Sequence, residues 1–320
     1  MEPEYIPLLV VSSALLFLSM VGFLVLAWFV LYVETYKRGL PMTWQSIANA
    51  YNKLLAQMSI SLIGIYICQV IRYADMSLVG NVRSFSRKAN DLAFNILTAL
   101  FEVAYCLYSF RRTSPVVELI YPLLVVKITR LLRVLPVLFI LQVIPTIVEL
   151  GLFSIASPQD VKKIKIAMYS LNALTGLVTL ILDAILLTTF IRFLHSTRHD
   201  EVITIDSRFL IIARYGVCIV VTGFAAIIVY LLYAVATLET YLLGTLGLFS
   251  IVFWGLLGMK MALFYDDVKR GQANQSRLER ALGKDELRSI KATSMMRMLS
   301  VRTEQKSSIQ ASASSINVAL

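Results

Sequence analysis

The chain has 320 residues, of which 58% are hydrophobic, and its mean hydropathy is +0.74. Its apolar residues form blocks close to the roughly 20 residues that cross a hydrocarbon core, which excludes an ordinary soluble domain. A transmembrane β-barrel is also excluded, because it would show alternating segments of about ten residues. The net charge of +10 lies mainly at block ends and near the C-terminus, which favours contact with anionic lipid headgroups rather than nucleic acid.

The apolar blocks, taken in chain order, predict seven transmembrane helices and therefore an all-α, seven-transmembrane-helix bundle. The first block is too long for the core of a signal peptide, and acidic rather than basic residues precede it. We interpret it as a helix that inserts directly. The predicted spans are Ile6–Val33, Leu54–Ala74, Leu92–Phe110, Leu131–Leu150, Ile166–Leu194, Phe209–Ala236 and Tyr241–Tyr265.

The fourth span has less regular flanks than the others. Pro136 and Pro145 lie inside it and predict a bend. The preceding segment Val116–Val126 is apolar but contains Pro122, and basic residues follow it. We interpret this segment as an interfacial or partly buried approach to the span, with a longer, shifted fourth span as the alternative.

Lys and Arg are more frequent after the first, third and fifth spans and in the C-terminal tail than in the other loops. The positive-inside rule therefore predicts an outside N-terminus and a cytosolic C-terminus, and we expect the plasma membrane. Residues 1–5 are expected to be extracellular and 6–266 to form the bundle. We expect an amphipathic cytosolic surface helix over 267–299 and a disordered Ser-rich tail over 300–320.

The third span carries a polar stripe inside an apolar helix. Its members recur at steps of three and four residues, so they share one helix face: Asn95, Thr98, Glu102, Tyr105 and Ser109. Glu102 lies near the middle of the span. A carboxylate at that depth is costly, so it is expected to face the bundle interior and to have a partner or a functional role.

Three further ionisable residues lie at comparable depth in the fifth, sixth and seventh spans, namely Asp183, Arg214 and Lys260. At about 1.5 Å per residue, Glu102 and Asp183 both lie roughly 13 Å from the predicted inner interface. Since an unpaired charge there costs several kcal/mol, we predict that all four form one ionic latch. In the alternative, Arg214 and Lys260 extend separately to the lipid headgroups.

The sequence contains few of the residue patterns that indicate an enzyme. The two histidines, His195 and His199, are four residues apart, but no third His or Cys accompanies them in a loop to complete a metal site. No glycine-rich phosphate loop follows a strand. We therefore expect no catalytic residues, no metal, no cofactor and no enzymatic activity.

Seven spans, an outside N-terminus, a basic end of the third span and a helix-like tail resemble the general plan of G protein-coupled receptors. The resemblance covers about Ile6–Arg297 and is one of layout, since Arg111–Arg112 follows Tyr108-Ser109-Phe110 rather than an acidic residue. It implies a small or lipidic ligand and a cytosolic signalling partner such as a G protein. The candidate cytosolic residues are Arg111, Arg112, Arg192 and Arg198 for partner contact, with Ser300 as a phosphorylation site.

The favoured hypothesis is a divergent seven-transmembrane receptor in which the ionic latch switches the bundle between two packings. One alternative is a proton-coupled transporter in which Glu102 and Asp183 exchange protons. Another is a non-catalytic scaffold that organises lipids through its basic tail. Neutralising Glu102 distinguishes them. A receptor should gain basal signalling or lose stability, a transporter should lose proton-linked flux, and a scaffold should show little effect.

Overall fold

The computed structural model describes residues 5–34, 49–79, 85–152, 157–199 and 207–271. Within these ranges seven helices are long and apolar enough to cross a membrane, which confirms the predicted number of spans. The helices are α1 (Ile6–Trp28, continued by a π-helix, Phe29–Glu34), α2 (Ala50–Val79), α3 (Phe85–Ile120), α4 (Pro122–Gly151), α5 (Pro158–His199), α6 (Ser207–Ala236) and α7 (Glu239–Gly271).

The approach predicted before the fourth span is instead divided between two helices. α3 continues to Ile120, and α4 begins at Pro122. Tyr121 breaks the helix with φ −133° and ψ 70°, because a residue before proline avoids the helical region and proline itself fits a first helical turn. The fourth helix is therefore longer than predicted, and it continues through Pro136 and Pro145.

α3 is the central helix among those of residues 1–263. It packs against α2, α4 and α5, and its Phe101 ring stacks on Phe249 of α7 with centroids 5.2 Å apart. α1 packs against α2 and approaches α7 at Gly22. α5 also packs against α4 and α6.

The outward faces of these helices are strongly apolar. On α1, for example, Phe17 is 69% exposed and Leu24 is 64% exposed. Rows of exposed aliphatic and aromatic side chains are costly in water, whereas a hydrocarbon environment accommodates them. The burial pattern agrees with an integral membrane protein.

The chain consists of two compact units, Met1–Leu263 and Phe264–Leu320. Of the second unit, the structure describes only 264–271, where Asp266 and Arg270 form an ion pair with Oδ2 and Nε 3.0 Å apart. Most of the predicted surface helix over 267–299, the predicted Ser-rich tail and Ser300 lie outside the described residues.

Candidate functional site: a buried ion pair beside a cavity

The polar stripe of α3 faces the interior of the bundle, as predicted. Asn95, Glu102, Tyr105 and Ser109 are buried, and Thr98 is half-buried. Asn95 donates a 2.9 Å hydrogen bond to Thr146 Oγ1 of α4. A polar stripe in an apolar helix thus becomes a set of contacts between α3 and its neighbours.

Asp183 of α5 is the centre of the most deeply buried charge cluster described. It is 1% exposed, and the Tyr105 hydroxyl donates a 2.5 Å hydrogen bond to its Oδ2. Its Oδ1 lies 3.4 Å from Nη2 of Arg112. Both partners are on α3, so this carboxylate connects α5 to α3 at two positions.

Arg112 lies inside the bundle, so it was wrongly assigned to a surface that faces a partner. Its side chain is 3% exposed, and Nη1 lies 3.8 Å from the sulfur of Met259 on α7. The reason is the length of α3. The helix continues about two turns beyond Arg112, so this arginine is within the helix rather than at its end.

Lys260 of α7 forms a different cluster from the one predicted. Its Nζ lies 2.9 Å from Oε2 of Glu34, at the end of the π-helix, and donates a hydrogen bond to Asn52 Oδ1. Asn52 also donates a 3.3 Å hydrogen bond to Glu34. Lys260 therefore joins α7 to α1 and α2. We call the end of the bundle that holds this cluster the Lys260 end.

The predicted latch of Glu102, Asp183, Arg214 and Lys260 is thus not the arrangement found. Asp183 pairs with Arg112, and Lys260 pairs with Glu34. Arg214 is exposed on α6, in keeping with the alternative in which it extends away from the bundle. The sequence predicts how deep each of these residues lies in the membrane. It does not predict toward which neighbour each helix turns the side chain.

Glu102 lines a cavity of about 100 Å³ between α3, α5, α6 and α7. Glu102 as a whole residue is 9% exposed, and among the described residues its Oε2 is buried without a hydrogen-bond partner. The amide of Gln142 on α4, a residue that is fully buried, faces this carboxylate. Most of the cavity wall is apolar, and its polar or small members include Tyr105, Asn172, Gly176, Thr179 and Tyr230.

The structure describes the side chains of two of the three other residues that were predicted to contact a cytosolic partner. Arg111 and Arg192 are exposed, as a partner-facing surface requires. The side chain of Arg198 lies outside the described part of the chain. His195 is exposed near the end of α5, and among the described residues no group of three metal-ligating side chains occurs.

A second ionic cluster lies at the opposite end of the bundle, where α2 and α4 end and α3 and α7 begin. Arg72 contacts Glu239 at 2.5 Å and Asp91 at 3.7 Å. Lys88 bridges Asp91 at 3.4 Å and Glu149 at 2.7 Å. These residues lie in different spans and loops of the sequence, and the polar stripes inside the spans do not predict their contact. Their signal was the placement of ionisable residues within one turn or two of several span ends.

Family models, curated proteins and solved structures give no match to the chain.

Proposed function

We propose that the chain is a non-enzymatic, seven-helix membrane receptor for a small or lipidic ligand. The observation that carries the proposal is the position of Tyr105. Its side chain lines the cavity, and its hydroxyl holds the carboxylate of the buried Asp183–Arg112 pair. A ligand in the cavity would therefore touch a residue that is directly bonded to the ion pair.

The proposed switch is a change in the packing of α3 against α5. If a ligand draws the Tyr105 hydroxyl away, Asp183 keeps one of its two contacts, and the packing that depends on both is weakened. Breaking a charged hydrogen bond in a dry interior changes the balance between packings by about 1.5–3 kcal/mol, which is sufficient to change the populations of two conformations more than tenfold.

The Lys260 end is the proposed cytosolic face, which follows from the expected outside N-terminus. Arg112 contacts Met259, and the next residue, Lys260, joins α7 to Glu34. A shift of α3 would therefore reach α7 and α1 at this end. The exposed residues Arg111 and Arg192 would then contact a cytosolic partner such as a G protein, with the protein located at the plasma membrane.

A matched pair of tyrosine variants tests the receptor proposal in cells. Tyr105→Phe keeps the ring in the cavity wall but removes the hydroxyl from Asp183, whereas Tyr230→Phe removes a cavity hydroxyl that is on another helix. At equal surface expression, we expect Tyr105→Phe to change basal G protein activation several-fold and Tyr230→Phe to leave it near the wild-type value. G protein activation that is unchanged by both variants and by Asp183→Asn argues against a receptor.

A proton-coupled transporter is the second candidate. It is favoured by Glu102 in the cavity wall, whose Oε2 has no hydrogen-bond partner among the residues that the structure describes. In that case Glu102→Gln abolishes uptake driven by a pH gradient in vesicles that contain the protein. In cells, neither the wild-type protein nor its variants activate G proteins. A lipid-organising scaffold predicts that neither Glu102→Gln nor Tyr105→Phe alters either readout.

A further inference from the structure

The cavity between α3, α5, α6 and α7 contains the carboxylate of Glu102, which no basic side chain in the described part of the chain neutralises. Each strongly buried base described near α3 already has an acidic partner. Arg112 pairs with Asp183, and Lys88 pairs with Glu149. Among the described residues, Glu102 has no ion pair, and its Oε2 accepts no hydrogen bond.

An unpaired carboxylate in a low-dielectric interior is costly, and a bound cation would remove that cost. The Glu102 side chain is nine-tenths buried and lines the cavity, so a cation inside the cavity can reach it. The nearby amide of Gln142 can donate only a neutral hydrogen bond. A group with both positive charge and N–H donors, an ammonium, complements this carboxylate best.

The cavity wall outside Glu102 indicates the chemistry of the part of the ligand that does not contact this carboxylate. It is formed by aromatic and aliphatic side chains, among them Phe94, Phe101, Phe249 and Leu246. Such a wall favours a hydrophobic body, and the faces of the rings also attract a cation. The volume of about 100 Å³ is smaller than the roughly 150 Å³ of an apolar cavity that accepts benzene, so the ligand must be compact.

We propose that this cavity binds a compact hydrophobic amine, with its ammonium against Glu102 and its apolar body among the aromatic side chains of α3 and α7. The inference deepens the proposed function by naming the ligand class, and it depends on the same cavity. Tyr105 lies one helical turn from Glu102 and lines the same cavity, so an amine held by Glu102 lies beside the hydroxyl that is bonded to Asp183.

The test compares amines with neutral molecules of nearly the same shape. Full-length protein in detergent is titrated with phenethylamine, isoamylamine, phenethyl alcohol and isoamyl alcohol, and its Tm is recorded. Each amine is expected to raise the Tm at roughly tenfold lower concentration than its alcohol, because a charge-assisted contact replaces a neutral one. Equal effects of amine and alcohol, or no effect of either amine at millimolar concentration, would overturn the proposal.

Variants show whether Glu102 is responsible. Glu102→Gln should remove the preference for the amines, whereas Glu118→Gln, an exposed acid on the same helix, should retain it. A preference that persists in Glu102→Gln overturns the proposal. Gly176→Leu provides a second test if Glu102→Gln does not fold. Among the described residues, a Cβ at Gly176 meets only Ile227, at 3.7 Å, so the added side chain enters the cavity and should prevent amine binding. Unchanged amine binding overturns the proposal.

These titrations measure binding without signalling, so the inference and the receptor proposal fail separately. Amine binding that depends on Glu102, with G proteins silent in cells, supports the inference and refutes the receptor. G protein activation that responds to Tyr105→Phe but no preference for amines supports the receptor and refutes the ligand class.

Discussion

The Tyr105 hydroxyl lies 2.5 Å from Oδ2 of Asp183, and this hydrogen bond joins a cavity wall to a buried ion pair. Arg112 contacts the other carboxylate oxygen about two helical turns further along α3. α3 and α5 cannot slide along each other without breaking at least one of these contacts. The carboxylate therefore fixes the register of the two helices.

Removing Arg112 should show how much the Arg112–Asp183 ion pair contributes to stability. Arg112→Met leaves Asp183 as an uncompensated charge at 1% exposure, and we expect the free energy of unfolding to fall by about 3–5 kcal/mol. Reversible denaturation in detergent measures the change. The double variant Arg112→Met/Asp183→Leu removes both charges and should recover most of the loss.

The adjacent arginine provides the control for that experiment. Arg111 is exposed on the same helix, so Arg111→Met should change the free energy of unfolding by no more than about 0.5 kcal/mol. Equal losses for the two single variants would contradict a buried role for Arg112 alone. A double variant less stable than either single variant would contradict the ion pair.

A charge exchange tests the cluster at the Lys260 end. Lys260→Glu and Glu34→Lys each place two like charges within contact distance, so each should lower the Tm markedly. Combining them restores opposite charges across α1 and α7 and should recover part of the Tm. Asn52 accepts a hydrogen bond from Lys260, and a glutamate at position 260 could not donate one, so recovery is expected to be incomplete. A Tm of the double variant below both single variants would refute the pairing.

The sequence predicted the number and order of the helices because hydropathy depends on composition over a whole segment. It also predicted the interior face of α3, since steps of three and four residues place Asn95, Glu102 and Tyr105 on one side whatever the neighbours are. The sequence did not predict which charged residues pair with each other. Glu102 and Asp183 have similar depths, but contact also requires each helix to be rotated toward the other, and one sequence contains no direct measure of rotation.

The length of α3 explains why Arg112 is buried although it follows the end of an apolar run. The end of an apolar run was interpreted as the end of the buried helix, which placed Arg112 at the surface. In the structure α3 continues to Ile120, and the long side chain of Arg112 reaches a carboxylate on α5. An arginine at the end of an apolar run can therefore be either exposed or buried, and Arg111 and Arg112 illustrate both outcomes on consecutive residues.

The cluster at the opposite end of the bundle predicts a large effect for Lys88. Lys88→Met leaves Glu149, which is 3% exposed, without its 2.7 Å cation, so we expect a loss of about 3 kcal/mol or more in the free energy of unfolding. Lys127→Met removes an exposed lysine from α4, the helix that carries Glu149, and should have little effect. Equal stabilities of the two variants would show that the Lys88–Glu149 contact contributes nothing measurable.

The approach of α1 to α7 depends on the absence of a side chain at Gly22. A Cβ at this position would lie 2.9 Å from Cε1 of Phe253 and 3.2 Å from Cζ2 of Trp254, and the Phe253 ring is fully buried and has little room to move. Gly22→Val should therefore lower the free energy of unfolding by about 1–3 kcal/mol through overpacking. At Gly247 of α7, a Cβ would meet no atom of the described residues within 4 Å, so Gly247→Val should lower the free energy of unfolding only slightly. Both variants replace a helical glycine with the same residue, so the intrinsic helix preference cancels in the comparison. The difference between their unfolding free energies then measures the clash between α1 and α7, and a difference near zero would mean that the two helices separate without cost at Gly22.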